Sequence, residues 1–264
     1  MATAHEAIVA GDPQSALQFL QQQVRDKPGD VKLRIFLFQL LCVLGQWERA
    51  MAQLDVCGQL DAGTLAMVNT YREAIKCEAV RGSVFAGKTT PVVFGQPAAW
   101  VAMLIEALSQ DAQGHPEQAQ RLRADAFEQA PATAGSLNGE AFDWIADADS
   151  RIGPVLEVVL NGRYTWVPFS ALSAVTVEAP EDLRDMVWTP VHLTFSNGGD
   201  TVALVPTCYP GTREQPDGKL RLARATEWLP CGLDQYAGLG QRILSTSSAE
   251  LGLLEARDIK LTAA

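Results

Sequence analysis

The sequence is poor in the residues that build metal sites and disulfide frameworks. Its 264 residues include three His and five Cys. His5, His115 and His192 lie far apart along the chain, without the local spacing of a metal site. The cysteines are odd in number and form no CxxC pair, which favours reduced thiols over disulfides or a zinc site. We therefore predict that the protein uses no metal and no cofactor.

Basic clusters and long apolar runs are also missing. Lys and Arg number 21 against 31 Asp and Glu, which gives a net charge of -10. Because nucleic acids are bound through clustered cationic side chains, this balance argues against a nucleic-acid partner. The longest strongly apolar stretch, Ile35 to Leu44, is interrupted by Gln39 and is shorter than the roughly 18 residues that span a bilayer. His5 and Glu6, with no cationic lead-in, do not fit a secretory signal, so we expect a cytoplasmic protein.

Small residues five positions apart recur in the first half of the chain. The pairs are Gly11 with Ala16, Gly45 with Ala50, and Gly114 with Ala119. The first two pairs lie 34 residues apart, the length of a tetratricopeptide helix-turn-helix unit. Paired helices cross closely at such positions, where a larger side chain would separate the backbones. We predict a tetratricopeptide-like helical repeat domain over residues 1–135. Since stacked helix pairs offer a groove rather than reacting groups, this domain predicts a protein that holds another protein.

Turn and capping signals place the helices of this domain. Pro and Gly residues mark their ends, and apolar residues recur at helical spacing between those ends. The predicted helices cover residues 14–26, 33–44, 47–54, 65–81, 100–108 and 115–130.

The string from residue 82 to residue 89 matches the phosphate-loop pattern GxxxxGK[ST]. That pattern binds nucleotides when a strand precedes it and a helix begins at the lysine. Here a charged segment of helical period precedes it, and Pro91 disfavours a helix after it. Gly82 and Gly87 have the same spacing as the other small pairs, so we interpret them as the turn of a degenerate middle repeat. Nucleotide binding through Lys88 is the alternative.

The apolar period changes from helical to two at about residue 151. Asn161-Gly162 is the strongest hairpin signal of this second half. The predicted strands cover residues 154–160, 164–167, 175–178, 187–195, 201–205 and 220–227. We predict an α+β fold in which a smaller, mainly β domain covers residues 136–264. A linker at 132–140 and a short helix at 142–148 would join it to the helical repeats.

Three strings of the second half carry a more specific signal. They are Gly162 to Phe169, Glu178 to Trp188, and Val205-Pro206 with the nearby Tyr209-Pro210-Gly211. Together with the helical repeats in front of them, they resemble the ImpE/TagJ (SciE-type) family over nearly the whole chain. The resemblance implies a cytoplasmic, non-enzymatic accessory protein of bacterial type VI secretion. It also implies binding to the N-terminal helical segment of the small subunit of the contractile sheath, in a complex that would help connect the sheath to its recycling unfoldase.

We expect the partner to bind the concave side of the stack, which the inner helices line. Aligning the repeats on their glycines gives the predicted binding residues Lys32, Ile35, Gln39, Asn69, Arg72, Lys76, Leu104 and Leu108. An amphipathic partner helix could lay apolar side chains on Ile35, Leu104 and Leu108, while acidic side chains meet the three cationic residues. The alternative is that these are ordinary solvated or packed helix positions.

Four charged residues close to Trp188 raise an enzymatic alternative. They are Glu181, Asp182, Arg184 and Asp185. Paired carboxylates can share acid and base roles, so a hydrolase built on the two aspartates is conceivable. The competing interpretation is that the carboxylates begin a short helix, where they meet exposed backbone amides, and that Arg184 pairs with a neighbour. We predict the second, and a protein that is not an enzyme.

Overall fold

The computed structural model describes residues 3–262, and the first half of that range is built of helices. They are α1 (Ala4–Val9), α2 (Pro13–Asp26), α3 (Val31–Val43), α4 (Trp47–Leu60), α5 (Leu65–Phe85), α6 (Ala99–Ala112) and α7 (Pro116–Gln129). Asp12 and Asp30 begin α2 and α3 by accepting a hydrogen bond from the backbone amide of the third residue of each helix. The six helices predicted from turn and capping signals are present, and α1, which was not predicted, completes the first of the three glycine-linked pairs α1/α2, α3/α4 and α6/α7.

The small-residue pairs lie where the helix pairs turn. Gly11, Gly45 and Gly114 follow α1, α3 and α6 with φ angles of 83°, 68° and 80°. Ala16, Ala50 and Ala119 are each 0% exposed. The burial of the alanines agrees with a close crossing at these positions. The glycines do not: a methyl group at Gly114 would have no neighbour within 4 Å, and one at Gly11 or Gly45 would meet Lys219 or Arg213 of the second half instead of the paired helix.

The middle repeat differs from its prediction. Gly82 lies inside α5, while Gly87 follows the helix with a φ of 65°, so Gly87 alone corresponds to the turn glycines. No second helix follows; the chain instead forms strand β1 (Val92–Val93). The turn interpretation is thus right for Gly87 and wrong for Gly82. Residues 65–85 are helical, so no strand leads into the phosphate-loop string and the cradle for a nucleotide is not formed.

The second half contains a large, mostly antiparallel sheet and two small ones. Its strands are β2 (Gly135–Leu137), β3 (Glu140–Phe142), β4 (Ile145–Asp147), β5 (Val155–Leu160), β6 (Arg163–Pro168), β7 (Leu172–Val177), β8 (Trp188–Phe195), β9 (Asp200–Pro206), β10 (Thr226–Gly232), β11 (Gln235–Gly240), β12 (Ile243–Thr246), β13 (Glu250–Gly252) and β14 (Asp258–Leu261). The large sheet has the order β1-β6-β5-β9-β8-β7-β14-β2-β3, and β1 joins it parallel to β6. Strands β10 and β11 form a hairpin, and β13, β12 and β4 form the third sheet.

Two predictions for the second half are wrong. Residues 132–148 contain β2, β3 and β4 instead of a linker and a short helix. These strands have three residues each. The partner of β2, strand β14, lies more than a hundred positions away, and that of β4, strand β12, lies almost a hundred away, so the local sequence carries little signal of them. Leu220 lies in a short helix, α8 (Gly218–Arg221), instead of a strand.

The two halves are joined by contacts at the ends of the helices. Arg224 donates hydrogen bonds to the backbone oxygens of Ile8 (2.9 Å) and Val9 (3.0 Å), at the carboxyl end of α1. Arg213 donates to the backbone oxygen of Val43 at the end of α3. Such cations stabilise helix ends, where carbonyl groups lack partners. These contacts join residues before residue 135 to residues after it, so they do not mark a domain boundary there. The division into domains at residue 135 stays a prediction.

Candidate partner-binding surface

The inner side of the helical repeat is formed by α1, α3 and α5, which are the first helices of successive units. A segment of the second half, residues 178–188, lies against this side; we call it the inserted segment. Its Trp188 ring packs 5.7 Å from the ring of Tyr71 on α5 and 5.8 Å from that of Trp47 on α4. Trp188 is 0% exposed and belongs to the same buried cluster as the core of α3. The repeat is therefore partly filled by its own chain.

The charged residues of the inserted segment hold its turn in place. Asp185 accepts hydrogen bonds from the backbone amides of Glu181 (2.7 Å) and Asp182 (2.9 Å). Asp182 accepts one from the amide of Arg184 (3.0 Å) and pairs with its guanidinium. Burial raises the pKa of the Asp182 carboxyl, and Arg184 opposes this effect. Both aspartates thus cap a helical turn, as the non-enzymatic interpretation predicts.

Two grooves remain on the sides of the inserted segment. The first, the α1–α3 groove, has a volume of about 520 Å³ and is lined by His5, Ile8, Phe36, Gln39, Pro180, Glu181, Asp182, Leu183 and Met186. The second, the α5–sheet groove, has a volume of about 540 Å³ and is lined by Asn69, Thr70, Tyr71, Glu73, Val159, Asn161, Gly162, Glu178, Pro190, Val191, His192, Val202, Ala203 and Leu204. The single concave surface expected from the sequence is divided in two.

The predicted binding residues of α3 and α5 are distributed over these grooves. Gln39 lines the α1–α3 groove and is 5% exposed. Ile35 is half-buried and Lys32 is exposed on the same helix. Asn69 lines the α5–sheet groove. The structure therefore does not bring the residues of the two helices into one site.

The cationic residues of α5 already have partners. Arg72 pairs with Asp55 at 2.5 Å, and Lys76 pairs with Glu73 at 2.7 Å. Both are less available to an acidic partner than the sequence alone suggests.

Leu104 and Leu108 are not on a free surface. They are 0% and 3% exposed and lie in a buried cluster with Tyr164 and Trp166 of β6. The alignment on glycines treats α6 as an inner helix. Because the middle repeat lacks its second helix, α6 instead packs against the sheet. An apolar contact between these two leucines and a partner would require the core to open.

A buried ionic cluster fixes α5 to the sheet. Arg81 of α5 donates to Glu157 of β5, with 2.8 Å between Nε and Oε1, and Arg242 and Tyr164 also donate to this carboxylate. Burial alone would raise the pKa of Glu157, but Arg81 and Arg242 hold it well below its usual range. Arg242 also pairs with Asp147. The wall of the α5–sheet groove is thereby held rigidly.

Sequence reasoning missed two residues of the α5–sheet groove. Val202 on β9 is 73% exposed, and Glu178 at the start of the inserted segment is exposed. The sequence predicts a strand over residues 201–205, but it does not predict which face of this strand stays uncovered. The only signal was that Val202 and Leu204 make one face of the strand apolar while its other face is apolar as well.

The geometry defines the class of the protein: an α+β chain in which tetratricopeptide-like helix pairs precede a sheet-rich half. A tetratricopeptide repeat model matches residues 7–65, and the model of the ImpE protein family matches residues 139–260. The chain is 54% identical over 256 residues to the type VI secretion system accessory component TagJ of Pseudomonas aeruginosa, covering 97% of this chain and 90% of that protein. The chain belongs to the ImpE family.

A solved structure shows the same fold. The crystal structure of protein VPA1032 from Vibrio parahaemolyticus matches with a TM-score of 0.89 at 23% identity, covering 98% of this chain and 97% of that one. Among residues 3–262, no helix combines the length and apolarity needed to cross a bilayer. Over the same range, no group of three or more His, Cys, Asp or Glu side chains is arranged to hold a metal ion.

Proposed function

We propose that this chain is a non-enzymatic accessory protein of type VI secretion that acts in the cytoplasm. It binds the N-terminal helical segment of the small subunit of the contractile sheath and links the sheath to its recycling unfoldase. The observation that carries this proposal is the grooved inner side of the helical repeat. Membership of the ImpE family and the similarity to an accessory component of type VI secretion support it.

The grooves fit a helix better than they fit a small substrate. An amphipathic helix binds by laying one apolar face into a groove and leaving its polar face in water. Each groove combines apolar floor residues with polar rim residues from α1, α3 or α5. Lys32, Ile35, Gln39, Asn69, Arg72 and Lys76 remain the proposed contact residues of these helices, whereas the buried Leu104 and Leu108 are removed from the proposal.

Binding to the purified sheath subunit tests the first half of the proposal. Calorimetry should show binding to the full-length small subunit and to its isolated N-terminal helix, and no binding to the subunit that lacks this helix. A peptide of the same composition in scrambled order is the control. Equal affinity for the subunit with and without its helix would contradict the proposal.

A three-component experiment tests the link to the unfoldase. Immobilised sheath subunit should retain more purified unfoldase in the presence of this protein than in its absence. Retention that is the same in both conditions would remove the linking role and leave the sheath-binding role intact.

A further inference from the structure

An apolar side chain is left in water on the floor of the α5–sheet groove. Val202 is 73% exposed, although its strand neighbours Ala203 and Val205 are 6% and 0% exposed. Leu204 and Pro190 line the same groove and extend the apolar floor. Covering such a surface is favourable because it removes apolar area from contact with water.

The sheet topology explains why this floor is open. Leu204 of β9 pairs with Val159 of β5, and β5 ends one residue later, at Leu160. Beyond Leu204, in the direction of Asp200, strand β9 extends past the end of β5 and pairs only with β8. Val202 therefore lies beyond the end of β5, with β8 on one side of it and no strand on the β5 side. With α5 as the opposite wall, the groove has a volume of about 540 Å³ to accept one face of a helix.

The rim of this groove is acidic. Its lining contains the carboxylates of Glu73 and Glu178, and neither Lys nor Arg. Within residues 3–262, Glu178 makes no ion pair, while Glu73 pairs with the exposed Lys76. His192 also lines the groove and lies 3.4 Å from the carboxylate of Asp200. The sequence suggested an acidic partner helix that would meet Lys32, Arg72 and Lys76. Arg72 and Lys76 are already paired, Lys32 lies on α3 outside this groove, and the unpaired carboxylate of the groove, Glu178, is negative.

The α1–α3 groove offers less to an incoming helix. Its Ile8 and Gln39 are 7% and 5% exposed, so little of their surface remains to be covered. The Asp182 carboxylate at its rim is already paired with Arg184. Each rim carries one exposed carboxylate that makes no ion pair within residues 3–262, Glu178 or Glu181, so the two grooves differ mainly in exposed apolar area.

We infer that the α5–sheet groove is the binding site of the partner helix, and that the helix presents a large apolar side chain flanked by Lys or Arg. The apolar side chain covers Val202 and Leu204, and a cation faces Glu178. This inference rests on the proposed function, because the helix is that of the small sheath subunit. It adds the choice of groove and the sign of the charge, and it removes Lys32, Ile35 and Gln39 of α3 from the contact residues of this helix.

Two substitutions to Asp, at apolar residues of similar exposure inside and outside the groove, test the choice of groove. The probe is a synthetic peptide of the sheath N-terminal helix, titrated against the full chain. Val202→Asp should weaken binding about tenfold or more, as expected for a central apolar contact. Leu233→Asp is the control, since Leu233 is 75% exposed and lies outside both grooves. It should leave the affinity within about twofold of wild type.

Charge reversal tests the sign of the interaction. Glu178→Lys should weaken binding several-fold, whereas Glu181→Lys in the α1–α3 groove and Glu227→Lys on β10 should not. A peptide whose Lys and Arg residues are replaced by Glu should lose binding to wild type and recover part of it with Glu178→Lys. Binding of the natural peptide should weaken as salt is raised, because the charges lie at a solvent-exposed rim.

The outcomes separate the two proposals. If wild type binds the peptide and Val202→Asp binds equally well while Glu181→Lys binds weakly, the helix lies in the α1–α3 groove and the inference is wrong. If wild type does not bind the peptide, the proposed function fails and the inference fails with it. Far-ultraviolet circular dichroism and melting temperatures equal to wild type show that a weakened variant is folded.

Discussion

At the residue scale, three donors converge on one buried carboxylate. The Glu157 side chain is 0% exposed and accepts hydrogen bonds from Arg81, Arg242 and Tyr164. It is the carboxylate that the two guanidinium groups share, and each of them has one further acidic partner, Glu78 or Asp147. Exposed pairs such as Lys76 with Glu73 have water as an alternative partner, so they contribute little.

We predict that Glu157→Gln is strongly destabilising. It breaks a buried ion pair and leaves Arg81 with Glu78 and Arg242 with Asp147 as their remaining counter-charges, which costs about 3 to 5 kcal/mol. Glu73→Gln removes an exposed pair and should cost less than about 1 kcal/mol. Urea unfolding followed by tryptophan fluorescence measures both. Similar losses in the two variants would show that the cluster is solvated.

The acidic neighbour of this cluster gives a pH-dependent prediction. Burial raises the pKa of Asp147 from 3.8 to about 6, against the opposing effect of Arg242. Between pH 4 and 6 the folded state therefore holds a proton that the unfolded state releases. The contribution of Asp147 to stability must then fall as the pH rises through this window.

Asp147→Asn tests this sign. The free energy of unfolding is measured for wild type and variant from pH 4 to 7, and the variant's value is subtracted from that of wild type. The difference should decrease with rising pH and level off above pH 6. A difference that rises over the same range would show that Arg242 dominates over burial.

At the element scale, the turn glycines have different surroundings. A methyl group at Gly45 would lie 2.8 Å from Cβ of Arg213, whereas one at Gly114 would have no neighbour within 4 Å. Both have positive φ, which is unfavourable for alanine. Gly45 therefore carries an additional constraint from the second half of the chain.

We predict that Gly114→Ala costs about 1 to 2 kcal/mol, the backbone penalty for a left-handed residue. Gly45→Ala should cost more, because Arg213 must also move and its hydrogen bond to the end of α3 is lost. The difference should shrink when both substitutions are measured in an Arg213→Gly background, which removes the contacting Cβ. A difference that persists there would assign the cost to the turn itself.

The elements that could be predicted are those with local signals. Pro13 begins α2, Gly45 ends a helix, and Asn161-Gly162 forms a hairpin, because each acts through the conformation of its own few residues. Strand β4 was not predictable, since its three residues are held by β12, almost a hundred positions later. The absence of a second helix from the middle repeat could not be predicted for a related reason, because the strand that replaces it, β1, is defined only by its pairing with β6.

At the scale of the whole molecule, the two halves share one core. Val187 and Trp188 are buried among residues of α3 and α5, and Arg213 and Arg224 cover the ends of α3 and α1. We predict that the full chain unfolds in a single transition. A fragment of residues 1–135 lacks Trp188 and should be far less stable than the full chain. Urea unfolding of both, followed by circular dichroism at 222 nm, measures this; a fragment as stable as the whole would support independent domains.

The candidate site also emerges only at this scale. The sequence correctly places α3 and α5 in a repeat and names Asn69, which lines the α5–sheet groove. It does not reveal that the inserted segment fills the space between these helices, because Leu183, Met186 and Trp188 find their neighbours through tertiary packing. Nor does it reveal that Val202 remains exposed, which depends on where β5 ends.

The position of β14 sets an order of events for the nascent chain. This strand lies between β7 and β2 in the large sheet, yet it follows both of them in the sequence by more than eighty residues. A ribosome that has not yet translated Asp258 has therefore produced the β2–β3 hairpin without the strand that connects it to the sheet. The sheet can close only after β14 has been translated, and until then the hairpin and β7 present open edges that chaperones can recognise.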